Sequence, residues 1–70
     1  MTTKSEKILV VEDDAQIRNF ITYVLQQEGF PHLSAGTAKN ALSLLVTNAV
    51  DLILLELLTP YYHTLNSAIL

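Results

Sequence analysis

The residues best placed to do chemistry are carboxylates. Glu12, Asp13 and Asp14 follow the apolar run Ile8-Leu9-Val10-Val11, and Glu56 follows Asp51-Leu52-Ile53-Leu54-Leu55. Parallel βα units place every strand's carboxyl end on one edge of the sheet, and ligands bind there, above all where the strand order reverses. If the strands ending at Glu12 and Glu56 are neighbours, then Glu12, Asp13 and Glu56 converge on one small oxygen-rich site. Such a site suits Mg²⁺, a hard cation that takes one or two carboxylates together with waters and a phosphate. The same residues also fit a plainer role. Acidic side chains after a strand favour the positive end of the next helix. Asp13 as N-cap, Asp14 in the first turn and Glu56 as a solvated strand end need no metal.

The other candidates carry less. His32 and His63 are the only imidazoles, and neither lies near a nucleophile pattern. Tyr23, Tyr61 and Tyr62 read as packing groups. Gly29 and Gly36 do not form a glycine-rich phosphate loop, so a dinucleotide site is not expected. No Ser-His-Asp or Cys-His arrangement can be built, and the expectation is that the chain is not an enzyme.

The elements that must position the carboxylates alternate. Ile8 to Val11 is a short, continuous, β-branched apolar run, as expected of a strand buried on both faces. Ile17, Phe20, Ile21, Val24 and Leu25 follow a helical stripe over 15–28. Asp13 is the expected N-cap, with Gln16 completing a capping box. Gly29 supplies the stop. Phe30 to Ser34 fits a short strand, which Pro31 assigns to a sheet edge because it lacks a ladder donor. Gly36-Thr37 opens a second helix whose expected buried stripe is Ala38, Ala41, Leu42, Leu45 and Ala49. Residues 51–55 form another buried-strand run, ended by Glu56. The order is β-α-β-α-β, with right-handed crossovers placing helices on both faces of a parallel sheet. From Leu57 to Leu70 the periodic signal fades.

Composition sets further bounds. The chain has 70 residues, half of them hydrophobic, and a net charge of −3. A domain of this size has a small core and marginal stability. The basic residues Lys4, Lys7, Arg18 and Lys39 form no run, so no direct nucleic-acid contact is expected. There is no cysteine, hence no disulfide and no thiolate metal site. The segment 41–58 is interrupted by Ser43, Thr47, Asn48, Asp51 and Glu56, which argues against a membrane span. Residues 1–7 lack the apolar core of a signal peptide. A cytoplasmic protein is expected.

Several of these pieces together resemble one family. Lys7-Ile-Leu-Val-Val-Glu-Asp-Asp14 with Ile17-Arg18 looks like the opening of a response-regulator receiver domain. Gly29-Phe30, Ala35 and Ala41-Leu42 fit its second strand and helix. Asp51-Leu-Ile-Leu-Leu-Glu56, with Pro60 beyond it, resembles the phosphoacceptor segment. The likeness covers residues 7–60. The stretch from Ile17 to Ile21 is similar to potassium-transport-operon regulators of the winged-helix class.

The resemblance implies a truncated flavodoxin-like (receiver) doubly wound parallel sheet. Residues 1–56 would be a partial receiver domain and 57–70 a divergent tail. Glu12 and Asp13 take the family's Mg²⁺-binding positions, Leu58 offers its backbone carbonyl to the same ion, and Glu56 occupies the phosphoacceptor position. Weak Mg²⁺ binding follows, with a sensor histidine kinase as partner, no membrane contact, and self-association through an exposed sheet edge.

Three departures from the family pattern are visible. The acceptor position is Glu rather than Asp. Tyr61-Tyr62-His63 replaces the glycine-containing turn expected after Pro60. The sequence also stops before the strands that carry the family's hydroxyl residue and lysine. The expectation is therefore a two-component response-regulator segment, truncated or frameshifted or else deliberately short, that is not phosphorylatable. The alternative is a degenerate interaction fragment that binds a sensor kinase or a full-length regulator without phosphotransfer.

Overall fold

The structure is a computed structural model, and it describes residues 5–56. The expected tail of residues 57–70, with Leu58, Pro60 and His63, lies outside the described residues. Five elements follow one another: β1 (Ile8–Glu12), α1 (Ala15–Gln27), β2 (His32–Ala35), α2 (Ala38–Thr47) and β3 (Leu52–Glu56). The strands form one parallel sheet in the order β2-β1-β3. The chain thus crosses to one side of β1 and then to the other. Right-handed crossovers in opposite directions put α1 and α2 on opposite faces of the sheet. This is the expected α/β architecture, with β2 at an edge as Pro31 requires.

β1 is the centre of the molecule. All five of its residues are buried, as its unbroken apolar run implies. Leu9 and Val11 face α2 and form the core with Ala35 and Ala41, with Leu33, Leu44, Leu45 and Val50 packed around them. Ile8, Val10 and Glu12 alternate onto the opposite face, which α1 covers.

The helix ends show which local interactions prevail. Asp14, not Asp13, is the N-cap of α1. Its Oδ1 accepts from the backbone N–H groups of Gln16 (2.9 Å) and Ile17 (3.1 Å). Gln16 then stands at the second helical position, so the expected capping box with Asp13 does not form. At the other end Gly29 adopts φ 82°, a left-handed conformation in which a Cβ is strained. Phe30 N–H donates to the Leu25 carbonyl (2.9 Å) and Gly29 N–H to the Gln26 carbonyl (3.1 Å), the paired bonds of a Schellman motif. The helix α2 starts on Thr37, whose Oγ1 accepts from Asn40 N–H at 3.1 Å.

Burial departs from expectation in two places. The stripe that α2 presents to the sheet is Ala41 with Leu44 and Leu45, whereas Leu42 is 64% exposed and Ala38 and Ala49 are also exposed. Leu42 lies about 100° round the helix from Ala41, which turns it off the sheet. The run Leu52–Leu55 was expected to be buried on both faces, yet all four side chains are exposed. Among the described residues both helices pack over β1 and β2 and neither packs on β3. On α1, Ile21 and Leu25 are half-buried, while Ile17, Phe20 and Val24 stay exposed.

The cap assignment is testable in the 70-residue chain. Asp14→Ala removes the acceptor of two helix N–H groups and should cost about 1 kcal/mol of stability in urea unfolding. Asp13→Ala should cost less, and Gly29→Ala should cost about 1 kcal/mol through its left-handed backbone. A larger loss from Asp13→Ala than from Asp14→Ala would return the cap to Asp13.

Candidate functional site

The site begins with the register of β1 against β3. Lys7 N–H donates to Asp51 Oδ2 (2.8 Å), and Asp51 N–H donates back to the Lys7 carbonyl (2.8 Å). This reciprocal clip aligns the amino ends of the two strands. The ladder then runs Ile8–Leu52 through Val11–Leu55 and ends with Glu12 opposite Glu56. Paired residues of parallel strands share a face, so Glu12 and Glu56 project from the same side at the carboxyl edge. The edge between β1 and β3 is also the point where the strand order reverses, the preferred ligand position in open α/β sheets.

Glu12 is the unusual member. It is only 2% exposed and is the one buried charged residue among those described. One carboxylate oxygen, Oε2, accepts from Asp14 N–H at 2.9 Å. Its backbone carbonyl accepts from Arg18 Nη1 at 2.7 Å. Burial pushes the Glu12 carboxyl above its ordinary pKa. The Asp14 N–H opposes that rise, while a hydrogen bond with the Asp13 side chain and the charges of Asp13 and Glu56 add to it. Asp13 and Glu56 are therefore close enough to act on Glu12.

The three carboxylates supply hard oxygen donors, the chemistry Mg²⁺ prefers, and a cation would relieve their mutual repulsion. Among the described residues, however, no three acidic or imidazole side chains are gathered into a ready-made metal cage. Mg²⁺ tolerates this, because it is held by one or two carboxylates and keeps several waters. The carboxylate oxygens are donors of the type that a partly hydrated Mg²⁺ accepts. The described residues enclose no cavity, so the site is an exposed rim rather than a pocket. Leu58, whose carbonyl was expected at the same ion, lies outside the described residues.

The remaining candidates fall elsewhere. Asp14 is engaged at the helix cap, and Asp51 lies at the far end of the sheet. His32 Nδ1 is 3.0 Å from the Phe30 carbonyl, a local contact away from the carboxylates. Tyr23 is exposed on α1. Among the described residues no helix is long and apolar enough to cross a membrane. Two contributors escaped sequence reasoning. Arg18 was seen only as an isolated cation and part of a resemblance, and Asp51 only as a strand boundary.

Comparison with known proteins gives a consistent set of relatives. The chain is 40% identical over 60 residues to the DNA-binding response regulator MtrA of Mycobacterium tuberculosis, a match covering 86% of this chain and 26% of that protein. It is 38% identical over 71 residues to the alkaline phosphatase synthesis transcriptional regulatory protein SphR of Synechococcus elongatus, covering 89% of this chain and 28% of the relative. Against the phosphate regulon transcriptional regulatory protein PhoB of Escherichia coli it is 41% identical over 56 residues, covering 80% and 24%. The chain spans about a quarter of the length of these curated relatives. No family model matches it, and no solved structure matches it.

The buried carboxyl predicts a pH dependence. A raised folded-state pKa means that the folded chain holds the proton more tightly than the unfolded one. Glu12 therefore contributes stability below the ordinary glutamate pKa of about 4.3, and this contribution is lost as pH rises through the raised value. Glu12→Gln keeps an oxygen for Asp14 N–H but removes the charge. Its stability relative to the parent chain should rise between about pH 4 and pH 7, as read by urea unfolding across that range. A constant difference across the range would show that Glu12 titrates normally.

Proposed function

We infer that the chain is a receiver-domain fragment of the response-regulator family, from its relatives and its α/β fold, and that it acts in two-component signalling as a segment engaged by a sensor histidine kinase. In this reading it binds Mg²⁺ weakly at the carboxyl edge of β1 and β3 and is not phosphorylated at Glu56. It is a signalling segment of transcription regulation and not an enzyme. The observation that carries the reading is the register pair Glu12–Glu56, with Asp13 beside it, at the point where the strand order reverses.

Glu12, Asp13 and Glu56 would hold the ion, with the Leu58 carbonyl as the further ligand that the resemblance implies. Bound there, Mg²⁺ supplies neutralisation of charge beside a phosphoryl group. Glu56 carries one methylene more than the family's aspartate. That moves the carboxylate by roughly 1 Å, a misplacement that can cost about a hundredfold in a positioned reaction. This supports the absence of a stable acyl phosphate on Glu56.

The exposed run Leu52–Leu55 supports one further partner, a second copy of the chain. An apolar edge strand presents unpaired backbone groups to whatever strand can reach it.

Three measurements test the proposal. Calorimetric titration should give a millimolar Mg²⁺ affinity, about −4 kcal/mol, and Asp13→Ala should weaken it about tenfold. Equal responses from the two proteins would leave Asp13 as a solvated residue of the β1–α1 turn. With a labelled small-molecule phosphodonor or a sensor kinase, no stable label should appear on the chain. Label on Glu56 at rates typical of a receiver domain would make it a working phosphoacceptor. Light scattering should show association that Leu54→Lys reduces, whereas a monodisperse parent chain would remove the edge from consideration.

A further inference from the structure

We propose that Arg18 is a positioning residue for the acidic rim, and that position 36 is glycine to admit its guanidinium. The inference rests on the Mg²⁺ reading above for its functional meaning, but its geometry stands apart from that reading. The ladder between β1 and β2 ends at Val11–Ala35, one residue short of Glu12. The Glu12 carbonyl accepts from Arg18 Nη1 at 2.7 Å, the short length of a charge-assisted bond. Arg18 is half-buried on α1, so this bond ties the first turns of α1 to the end of β1.

Gly36 completes the arrangement from the link between β2 and α2. Among the described residues Gly29 alone has a positive φ, so the backbone at Gly36 does not itself demand glycine. A Cβ placed at Gly36 would lie 3.0 Å from Arg18 Nη1 and 3.7 Å from its Cζ. An arginine tip can usually swing away from such a contact, but here Nη1 is held at 2.7 Å by the Glu12 carbonyl. A Cβ at position 36 would therefore press on a guanidinium already held to Glu12, which would have to give by a few tenths of an ångström. Three elements thus meet in one cation, and what they fix is the residue whose carboxylate is buried at the rim.

Glu12 is held at two points, its carbonyl by Arg18 and its Oε2 by Asp14 N–H. Loosening the first should loosen the second. The backbone N–H of Asp14 is therefore a reporter that does not depend on metal. Partners that orient metal ligands typically change affinity by ~10–100-fold when removed.

The test uses the 70-residue chain with the variants Arg18→Ala, Arg18→Lys and Gly36→Ala, read by amide hydrogen exchange and by titration with Mg²⁺ alone. In Arg18→Ala, exchange at Asp14 should speed up about tenfold while Leu9 and Val10 keep their protection, and Mg²⁺ affinity should fall by about tenfold. Gly36→Ala should change both in the same direction. Arg18→Lys keeps a cation within reach of the carbonyl and should restore part of each effect. Unchanged exchange at Asp14 in Arg18→Ala would overturn the proposal. So would a uniform loss of protection at Leu9, Val10 and Asp14 in all three variants, which marks general destabilisation. If the parent chain binds no Mg²⁺, the metal reading fails by itself and Asp14 exchange decides the role of Arg18. If Arg18→Ala does not fold, Gly36→Ala and Arg18→Lys decide it.

Discussion

Everything at the acidic edge of the sheet depends on the register of β1 against β3. These strands are 44 residues apart in sequence at the Lys7–Asp51 clip, and their pairing is set there by two reciprocal 2.8 Å bonds. Because side chains alternate along a strand, a slip of one residue would turn the whole of β3 over. Glu56 would then leave the face it shares with Glu12, and the acidic rim would be dispersed. A polar contact at one end of the sheet thus decides what chemistry is available at the other.

The rim itself works against the fold. Burial of Glu12 beside Asp13 and Glu56 raises the free energy of its charged form. The backbone N–H of Asp14 offsets part of this, whereas Arg18 grips the backbone carbonyl of Glu12 and not a carboxylate of the rim. A protein optimised only for stability would neutralise or remove such a group, and perturbed acids at a sheet edge are a common mark of a site.

The apolar surface is distributed unevenly. β1 with Ala35 of β2 and Ala41 of α2 makes a small, well-buried core, while Leu52–Leu55 on β3 and Phe20 on α1 remain open to solvent. Both helices pack over β1 and β2 and neither over β3, which explains why one apolar run became the core and a similar run did not. Burial followed position in the sheet, with composition nearly constant between the two strands.

The sequence by itself determined the order of elements, the central place of Ile8–Val11, the edge position of the strand after Pro31, and the stop at Gly29. These properties are local: apolar runs, a missing N–H and a left-handed backbone act within a few residues of where they are written. The carboxylates at two strand ends were legible for the same reason, and their convergence could be expected from the rule for parallel sheets. Tertiary structure alone decided the rest. It selected which flank of each helical stripe is buried, because that depends on where the sheet lies. It brought Arg18 against Gly36 and the Glu12 carbonyl, and Asp51 against Lys7. The Arg18–Gly36 and Lys7–Asp51 contacts join residues far apart in the chain, and no periodicity encodes them. They exist only once the strands have paired and the crossovers have fixed which face each helix covers.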